Sequence, residues 1–452
     1  MAGGIWTSQN KTLPGVYINV KSQPNASVSV GTRGVVALCE PLSWGPSGTV
    51  MTITPGEDLR PYIGYDITAD EALFLREMMK GSDTTSGPVS ILLYRPSGSA
   101  GAAATATLGN LTATANYDGV RGNDITIAII ADPDNAGYYN IQTIIDGSVV
   151  DDQYVNAITG LVANAWVTWS GSGVLAANAG TALTGGVNPT VAAADYSAFL
   201  TAIEPYTFDI ITYDGTTATV ISAIAAFVQR MNESVGRKCQ AVMAGSAAAV
   251  NSKYVIAVSN GVKLSDGTSL TAQQATYWVA GVEAGALYHE SLTYAQYPGA
   301  VEANPKMSDV ALEAAIAGGM LCFTDTFNVV KICTDINTKT TVTVDEGAEF
   351  KKNRVMRVIN QFCNDVYEYF SASFIGKVDN NASGRALLRA WIIGYMNEMQ
   401  ANNGIQNFVA EDVSVEAGSA IDAVIVNVAI QPVDAIEKVY MTVTVSVNGA
   451  VA

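Results

Sequence analysis

The residues of this 452-residue chain whose types could do chemistry are one histidine, five cysteines and a few carboxylates beside turns. His289 follows a helical stretch rich in Ala and Gly. A nucleophilic triad would need it beside a positioned serine and a carboxylate, and no G-x-S-x-G turn supplies the serine. Packing, or capping of a helix C-terminus, is the reading. Cys39, Cys239, Cys322, Cys333 and Cys363 are odd in number and include no C-x-x-C. They predict buried free thiols made in a reducing cytoplasm. One His and scattered Cys cannot build a zinc site. Asp132-Pro-Asp-Asn-Ala-Gly137 faintly resembles a calcium loop. Its fifth position is Ala136 and its twelfth is Thr143, so it reads as an Asx-rich turn between strands. No phosphate loop and no G-x-G-x-x-G occurs. Asp214, in Tyr213-Asp-Gly215, could bind a ligand at the carboxyl end of a parallel sheet, next to Ala244-Gly-Ser246. A turn is the commoner role for Asp-Gly. No catalytic, cofactor-binding or metal-binding residue is assigned, and no cofactor is implied.

The bulk numbers agree with a chain that works by contact. Hydrophobic residues make up 49% and charged residues 14%. That composition builds cores, and low charge suits large interfaces. The net charge of −17 repels phosphate backbones, so direct nucleic-acid binding is not expected. No apolar run reaches the length of a membrane span; Ala386–Met396 is interrupted by Arg389. The N-terminus lacks a charged region followed by an apolar run, so no signal peptide is expected.

The elements that would position these residues are α/β in kind. Apolar runs at 33–39 and 89–95 read as strands. The helix between them is bounded by a Thr68/Glu71 capping box and Gly81. Residues 98–189 are rich in Ala, Thr, Gly, Asn and Asp, and short alternating runs there are separated by Asp118-Gly119, Asp146-Gly147 and Gly185-Gly186. This predicts an all-β insertion that leaves the surrounding α/β domain discontinuous, and one that a short linker could replace. Strand Thr207–Tyr213, helix Ala218–Met231 and strand Cys239–Met243 form a β-α-β unit and imply a parallel sheet. Further strands near 253–258 and 320–323 and helices near 271–288 and 308–317 extend it. Two long helices, about 347–375 and 383–402, each carry one apolar face. The predicted organisation is an arm at 1–28, an α/β core at 29–97 and 190–345, the β insertion at 98–189, an α+β segment at 346–435 and a terminal strand at 436–452.

Both ends carry strand patterns with little local core. Val16, Tyr17, Ile18, Asn19 and Val20 follow Pro14-Gly15; Val439, Met441, Val443, Val445 and Val447 alternate with polar or small residues. Backbone bonds net about 1 kcal/mol each, while ordering a residue costs roughly 1–2 kcal/mol. Burial of alternate side chains, at about 1.5–3 kcal/mol each, decides whether such a strand stays bound. The C-terminal run could pair with a neighbouring subunit or in a hairpin with 423–430. Lys351, Lys352, Arg354 and Arg357 cluster in the first turns of a helix, where the dipole disfavours positive charge. They predict a contact with an acidic partner, with a solvated face as the alternative.

The opening Met-Ala-Gly-Gly-Ile-Trp-Thr-Ser-Gln-Asn-Lys-Thr-Leu-Pro-Gly-Val-Tyr-Ile-Asn closely resembles the N-termini of contractile phage tail sheath proteins of PBSX-like prophages and clostridial particles. The similarity runs on through the helix holding Arg354 and Arg357 and through Asn380-Asn-Ala-Ser-Gly-Arg385. The resemblance implies a subunit that stacks as hexameric rings around an inner tube and shortens when a baseplate triggers it. The tube then passes through the target envelope. It implies a sheath core of subtilisin-like topology, strand exchange by the terminal arms, and an innermost C-terminal domain whose basic cluster meets the tube or a neighbour. Tube, baseplate and terminator proteins would be the partners. The location would be the tail of a virion or an R-type bacteriocin, assembled in the host cytoplasm, with no direct membrane contact. An α/β ligand-binding protein or enzyme with a β accessory domain is the alternative, and an inner-tube protein a lesser one.

Overall fold

The computed structural model describes residues 2–4, 15–17 and 30–445. It divides into two compact units, Thr32–Ile375 with Pro432–Ala452, and Met1–Gly31 with Gly376–Gln431. The larger unit is built on seven strands: β1 (Val35–Cys39), β2 (Val50–Ile53), β3 (Ser90–Tyr94), β4 (Ile210–Tyr213), β5 (Gln240–Ala244), β6 (Val255–Val258) and β7 (Met320–Leu321). Their order is β7-β6-β5-β4-β1-β3-β2. All are parallel except the edge strand β2, which runs antiparallel to β3.

The strands are apolar on both faces because helices cover both. Val36, Leu38, Ile91, Leu93, Val242 and Ile256 pack with α1 (Leu73–Met78) and α4 (Ala272–Gly285). Ala37, Leu92, Ile211, Ala241, Met243 and Val255 pack with α2 (Ala193–Ile203) and α3 (Ala218–Arg230). The α4 helix starts at a capping box in which Thr271 N–H donates to Gln274 Oε1 at 3.0 Å. Every residue from Ala275 to Ala284 is buried. It is a central helix, and its small residues let it lie close to its neighbours. A Cβ on Gly281 would stand 1.9 Å from the Met78 carbonyl oxygen.

The expected capping box at Thr68 is not formed. Asp66 Oδ1 accepts both the Thr68 N–H (2.7 Å) and its hydroxyl (2.5 Å), closing a local turn. A 3₁₀ turn at Asp70–Ala72 follows, so α1 begins only at Leu73.

Between β3 and α2 lie two antiparallel sheets. One has three strands, Ala103–Leu108, Leu111–Asp118 and Val167–Gly171; the other has four, Thr126–Ala131, Tyr139–Ile145, Ser148–Val155 and Asn178–Ala182. They share a core of Leu111, Ile127, Ile129, Ile141, Trp166 and Val167. The predicted Asx turn is present, with Asp132 Oδ1 accepting from the Asp134 N–H at 2.8 Å.

The insertion is not a free appendage, contrary to its expected removability. Trp44, from the loop after β1, sits within the insertion's core, its ring 5.0 Å from Trp166 and 5.1 Å from Tyr117. Arg95, 1% exposed, donates to the carbonyls of Leu42 (3.1 Å) and Gly45 (2.5 Å) and pairs with Asp118 at 2.8 Å. Arg121 reaches back to the Gly64 carbonyl at 2.9 Å and lies over the Tyr65 ring. The composition change at residue 98 marks where the fold type changes, and these residues join the two parts. Trp44→Ala is therefore expected to cost about 3–5 kcal/mol and to lower one shared melting transition. Denaturant unfolding followed at separate probes in residues 98–189 and in the sheet checks this. Loss of the insertion's structure alone, with the sheet's transition unmoved, would contradict it.

Candidate functional site: the buried charge network and the chain termini

The long helix α6 (Asn353–Ser373) enters the larger unit at its N-terminal end. Asn353 and Arg357 are four residues apart, share a face, and are 0% and 1% exposed. The guanidinium of Arg357 lies between two buried carboxylates. It donates to Glu283 Oε2 on α4 at 2.5 Å and to Asp335 Oδ2 at 2.5 Å. It also donates to the Glu290 carbonyl at 2.8 Å, and Asn353 donates to Asp335 Oδ1 at 2.8 Å. Asp335 accepts the Leu292 N–H at 3.0 Å. Arg33, just after the N-terminal segment, donates to the backbone carbonyl of Glu283 at 3.0 Å.

Burial, then the charge of Asp335, pushes the Glu283 carboxyl up to about 8. Burial also opposes charge on Asp335, but Arg357 and the Leu292 N–H outweigh it and hold that carboxyl below its ordinary value. Burial likewise opposes the charge on Arg357, which the two carboxylates more than offset.

This geometry corrects the reading of Arg357 within the basic cluster. Arg357 is an interior charge, already paired, and has none to offer a tube or a neighbour. Lys351 donates to the Ile316 carbonyl at 2.6 Å, and Arg354 is half-buried. Lys352 Nζ donates to Glu437 and lies 3.9 Å from Asp434. At Arg357 the charge near the helix start is explained by two buried carboxyls that face it. What the sequence left invisible is that Glu283 and Asp335, 52 residues apart by number, converge on one guanidinium.

The residues considered for chemistry are dispersed. His289 lies in the loop beyond α4, edge-on to Tyr288, and not at the helix end; its Nδ1 is buried without a hydrogen-bond partner among the described residues. The five cysteines are free; Cys39, Cys239 and Cys322 are buried, and burial pushes Cys322 up to about 11. A cleft of about 740 Å³ runs along α3, from Thr216 and Ser246 after β4 and β5 to Ser252 and Lys253 before β6, with Lys339 and Glu346 on its wall. Its two lysines are both paired with Glu346. Asp214 does not line it; it turns to Tyr277, which donates to Glu40 Oε2 at 3.0 Å. Burial raises both carboxyls, Glu40 and Asp214. Among the described residues no helix is long and apolar enough to cross a membrane, and no group of three or more His, Cys, Asp or Glu could hold a metal.

At the termini, Gly15–Tyr17 pairs in parallel with Ala2–Gly4 of its own chain, and this two-stranded sheet has no third strand among the described residues. Ile18, Asn19, Val20 and Val447 lie outside the described residues, as do the side chains of Val16 and Tyr17. In the smaller unit, α7 (Ala382–Ala401) is capped by Asn381, whose side chain accepts the Gly384 N–H at 2.9 Å. It packs on a hairpin of β8 (Val413–Ala417) and β9 (Val424–Val428), with Arg389 donating to the Val413 carbonyl at 2.8 Å. The partner of β9 is therefore β8, and Lys438–Val445 forms no strand with it. Val439, Met441, Val443 and Val445 are 75–86% exposed.

Four family models match in succession: a tail sheath protein Gp18 domain III N-terminal region (33–86), a phage tail sheath protein beta-sandwich domain (99–188), a phage tail sheath protein central domain (190–338) and a phage tail sheath C-terminal domain (345–446). The phage-like element PBSX protein XkdK of Bacillus subtilis strain 168 is 33% identical, over 99% of this chain and 100% of that one. A sheath tail protein of known structure from Desulfitobacterium hafniense is 40% identical with TM-score 0.85, covering 94% of this chain and 99% of that one. The helical sheath of the anti-feeding prophage, solved in the contracted state, shares the fold with TM-score 0.57 at 12% identity, over 96% of this chain and 99% of that one.

The raised Glu283 carboxyl gives a signed pH dependence. Its stabilising share is fully present below the unfolded carboxylate range and is lost as pH rises through about 8. Between pH 5 and 9 the melting temperature of the wild type is expected to fall more steeply than that of Glu283→Gln. Parallel slopes would contradict the assignment. Arg357→Met, which strands two buried carboxyls, should cost about 3–5 kcal/mol in denaturant unfolding at neutral pH.

Proposed function

The chain belongs to the phage tail sheath protein family and is a contractile tail sheath subunit; from that premise we propose that it polymerises as stacked hexameric rings around an inner tube, its terminal segments joining each copy to its neighbours. The observation that carries this is the run Val439–Val445. It leaves a folded body as an extended segment with four large apolar side chains on alternate positions exposed to solvent. A single copy gains nothing from that exposure, whereas a second copy's sheet edge buries one whole face of it. The β8–β9 hairpin is such an edge: two strands only, with Ile425 and Val426 also exposed. The parallel pair Ala2–Gly4 and Gly15–Tyr17 offers another. A head-to-tail contact of this kind, repeated without closing along the axis, covers a tube of any length.

The role proposed is structural and not catalytic. Contraction would drive the tube through the target envelope, triggered by a baseplate, and assembly would take place in the host cytoplasm. The mostly parallel sheet with helices on both faces supports the subtilisin-like reading of the core topology. The ligand-binding alternative is disfavoured by the cleft along α3, whose lysines are already neutralised by Glu346 and from which Asp214 is turned away.

Removal of residues 1–20, or a proline at Val443, should leave a folded subunit with an unchanged melting temperature that no longer forms tubes. Negative-stain microscopy of the purified variants, beside wild-type tubes, reads this out. Tubes of normal length from either variant would overturn the arm-mediated joining.

A further inference from the structure

The C-terminal segment changes character at one residue. Beyond Lys438 the described chain is exposed throughout; at Glu437 the side chain is only 16% exposed. Its carboxylate is held from three directions. Oε1 accepts from Thr293 Oγ1 at 2.7 Å. Oε2 accepts from Thr334 Oγ1 at 3.3 Å and from Lys352 Nζ. These donors come from the loop after α4, from the strand-like segment before Asp335, and from the residue preceding α6. Three separated parts of the larger unit thus meet on one carboxylate of the tail.

The hold does not stop there. Thr293 Oγ1, while donating to Glu437, accepts the backbone N–H of Asp335 at 2.9 Å. Asp335 in turn pairs with Arg357, and Arg357 with Glu283, whose backbone carbonyl takes the Arg33 side chain. A continuous chain of hydrogen bonds and ion pairs runs from the root of the C-terminal tail, through the buried network, to the residue where the N-terminal segment ends.

We propose that Glu437 is a positioning residue that clasps the C-terminal tail to the body, so that a pull on the tail is borne by the Asp335–Arg357–Glu283 network and not by the β8–β9 hairpin. This deepens the arm reading given above and rests on it for its role in a polymer. The chemistry suits the task. A carboxylate with two hydroxyl donors and an ammonium is a charge-assisted site, shielded enough to resist screening and small enough to fix one backbone position. Fixing that position defines where the free segment begins, and hence which of Val439, Met441, Val443 and Val445 meet which sites on a neighbour. A slip of one residue at the root would turn the apolar face to the wrong side of the added strand.

The test uses unassembled full-length subunit and trypsin, read as the rate of cleavage after Lys438 by mass of the released fragment. A protease needs several residues on each side of the bond to be free, so the clasp slows it. Glu437→Ala, which removes all three contacts, is expected to raise the rate at least about tenfold, the factor that losing even one charge-assisted hydrogen bond gives, with the melting temperature unchanged. Lys352→Met, which keeps the aliphatic stem and removes the ammonium, should raise it in the same direction. It serves as the reading if Glu437→Ala melts early. Equal cleavage rates in wild type and both variants would overturn the clasp. Because no polymer is involved, a wild type that failed to form tubes would count against the sheath assembly reading and leave this result standing. Tubes grown from Glu437→Ala should be short or irregular where the wild type's are regular.

Discussion

A guanidinium taken out of water must find its compensation at once, and Arg357 finds it in the Asp335 carboxylate and the Glu283 carboxyl, both themselves out of water. Burying an ion costs several kcal/mol after relaxation, so Arg357 and Asp335 depend on one another. Glu283 belongs to the central helix α4, Asp335 to the segment leading away from β7, and Arg357 to the helix that opens the C-terminal part of the larger unit. The network therefore fixes the mutual position of elements that apolar packing alone would leave free to slide. A trio of well-packed apolar side chains of similar volume could hold the same elements as strongly, so the network is weak evidence of extra stability.

The sheet constrains the rest in a different way. Six parallel strands flanked by helices on both faces bury the sheet's side chains and leave its backbone edges at β7 and β2. The joining of copies proposed above would use small pieces outside that sheet: the β8–β9 hairpin, the pair near the N-terminus and the extended tail.

Much of the architecture was legible because its signals are local. The β-α-β unit at 207–243, the α4 and α5 (Asp309–Ala317) helices and the two long helices follow from periodicity and caps, and the change of fold type at residue 98 follows from composition. The alternation after Lys438 is plain in the sequence, but the described residues there form no strand. What stayed hidden depends on long-range convergence. The cluster from Lys351 to Arg357 looks like surface charge because its partners, Glu283, Asp335 and Glu437, are scattered through the chain. Trp44 drew no reading from sequence, since nothing near it in the chain shows that Trp166 and Tyr117 close around it. The Thr68 box failed by a local competition, in which Asp66 took the Thr68 N–H that Glu71 would have accepted.

The strand order has a consequence for synthesis. Strand β1 lies between β3 and β4, and β4 is separated from it in the chain by the whole insertion. As the chain leaves the ribosome, β1 can pair with β3 but has no neighbour on its other side until residue 210 has appeared. Closing a sheet over so long a loop carries an entropic cost that no local contact repays in advance. The insertion waits for nothing of the kind, because every pairing within its two sheets joins residues between 103 and 182. Three of the seven strands are thus made before the insertion, and the Trp44 side chain that ends in the insertion's core is made with them.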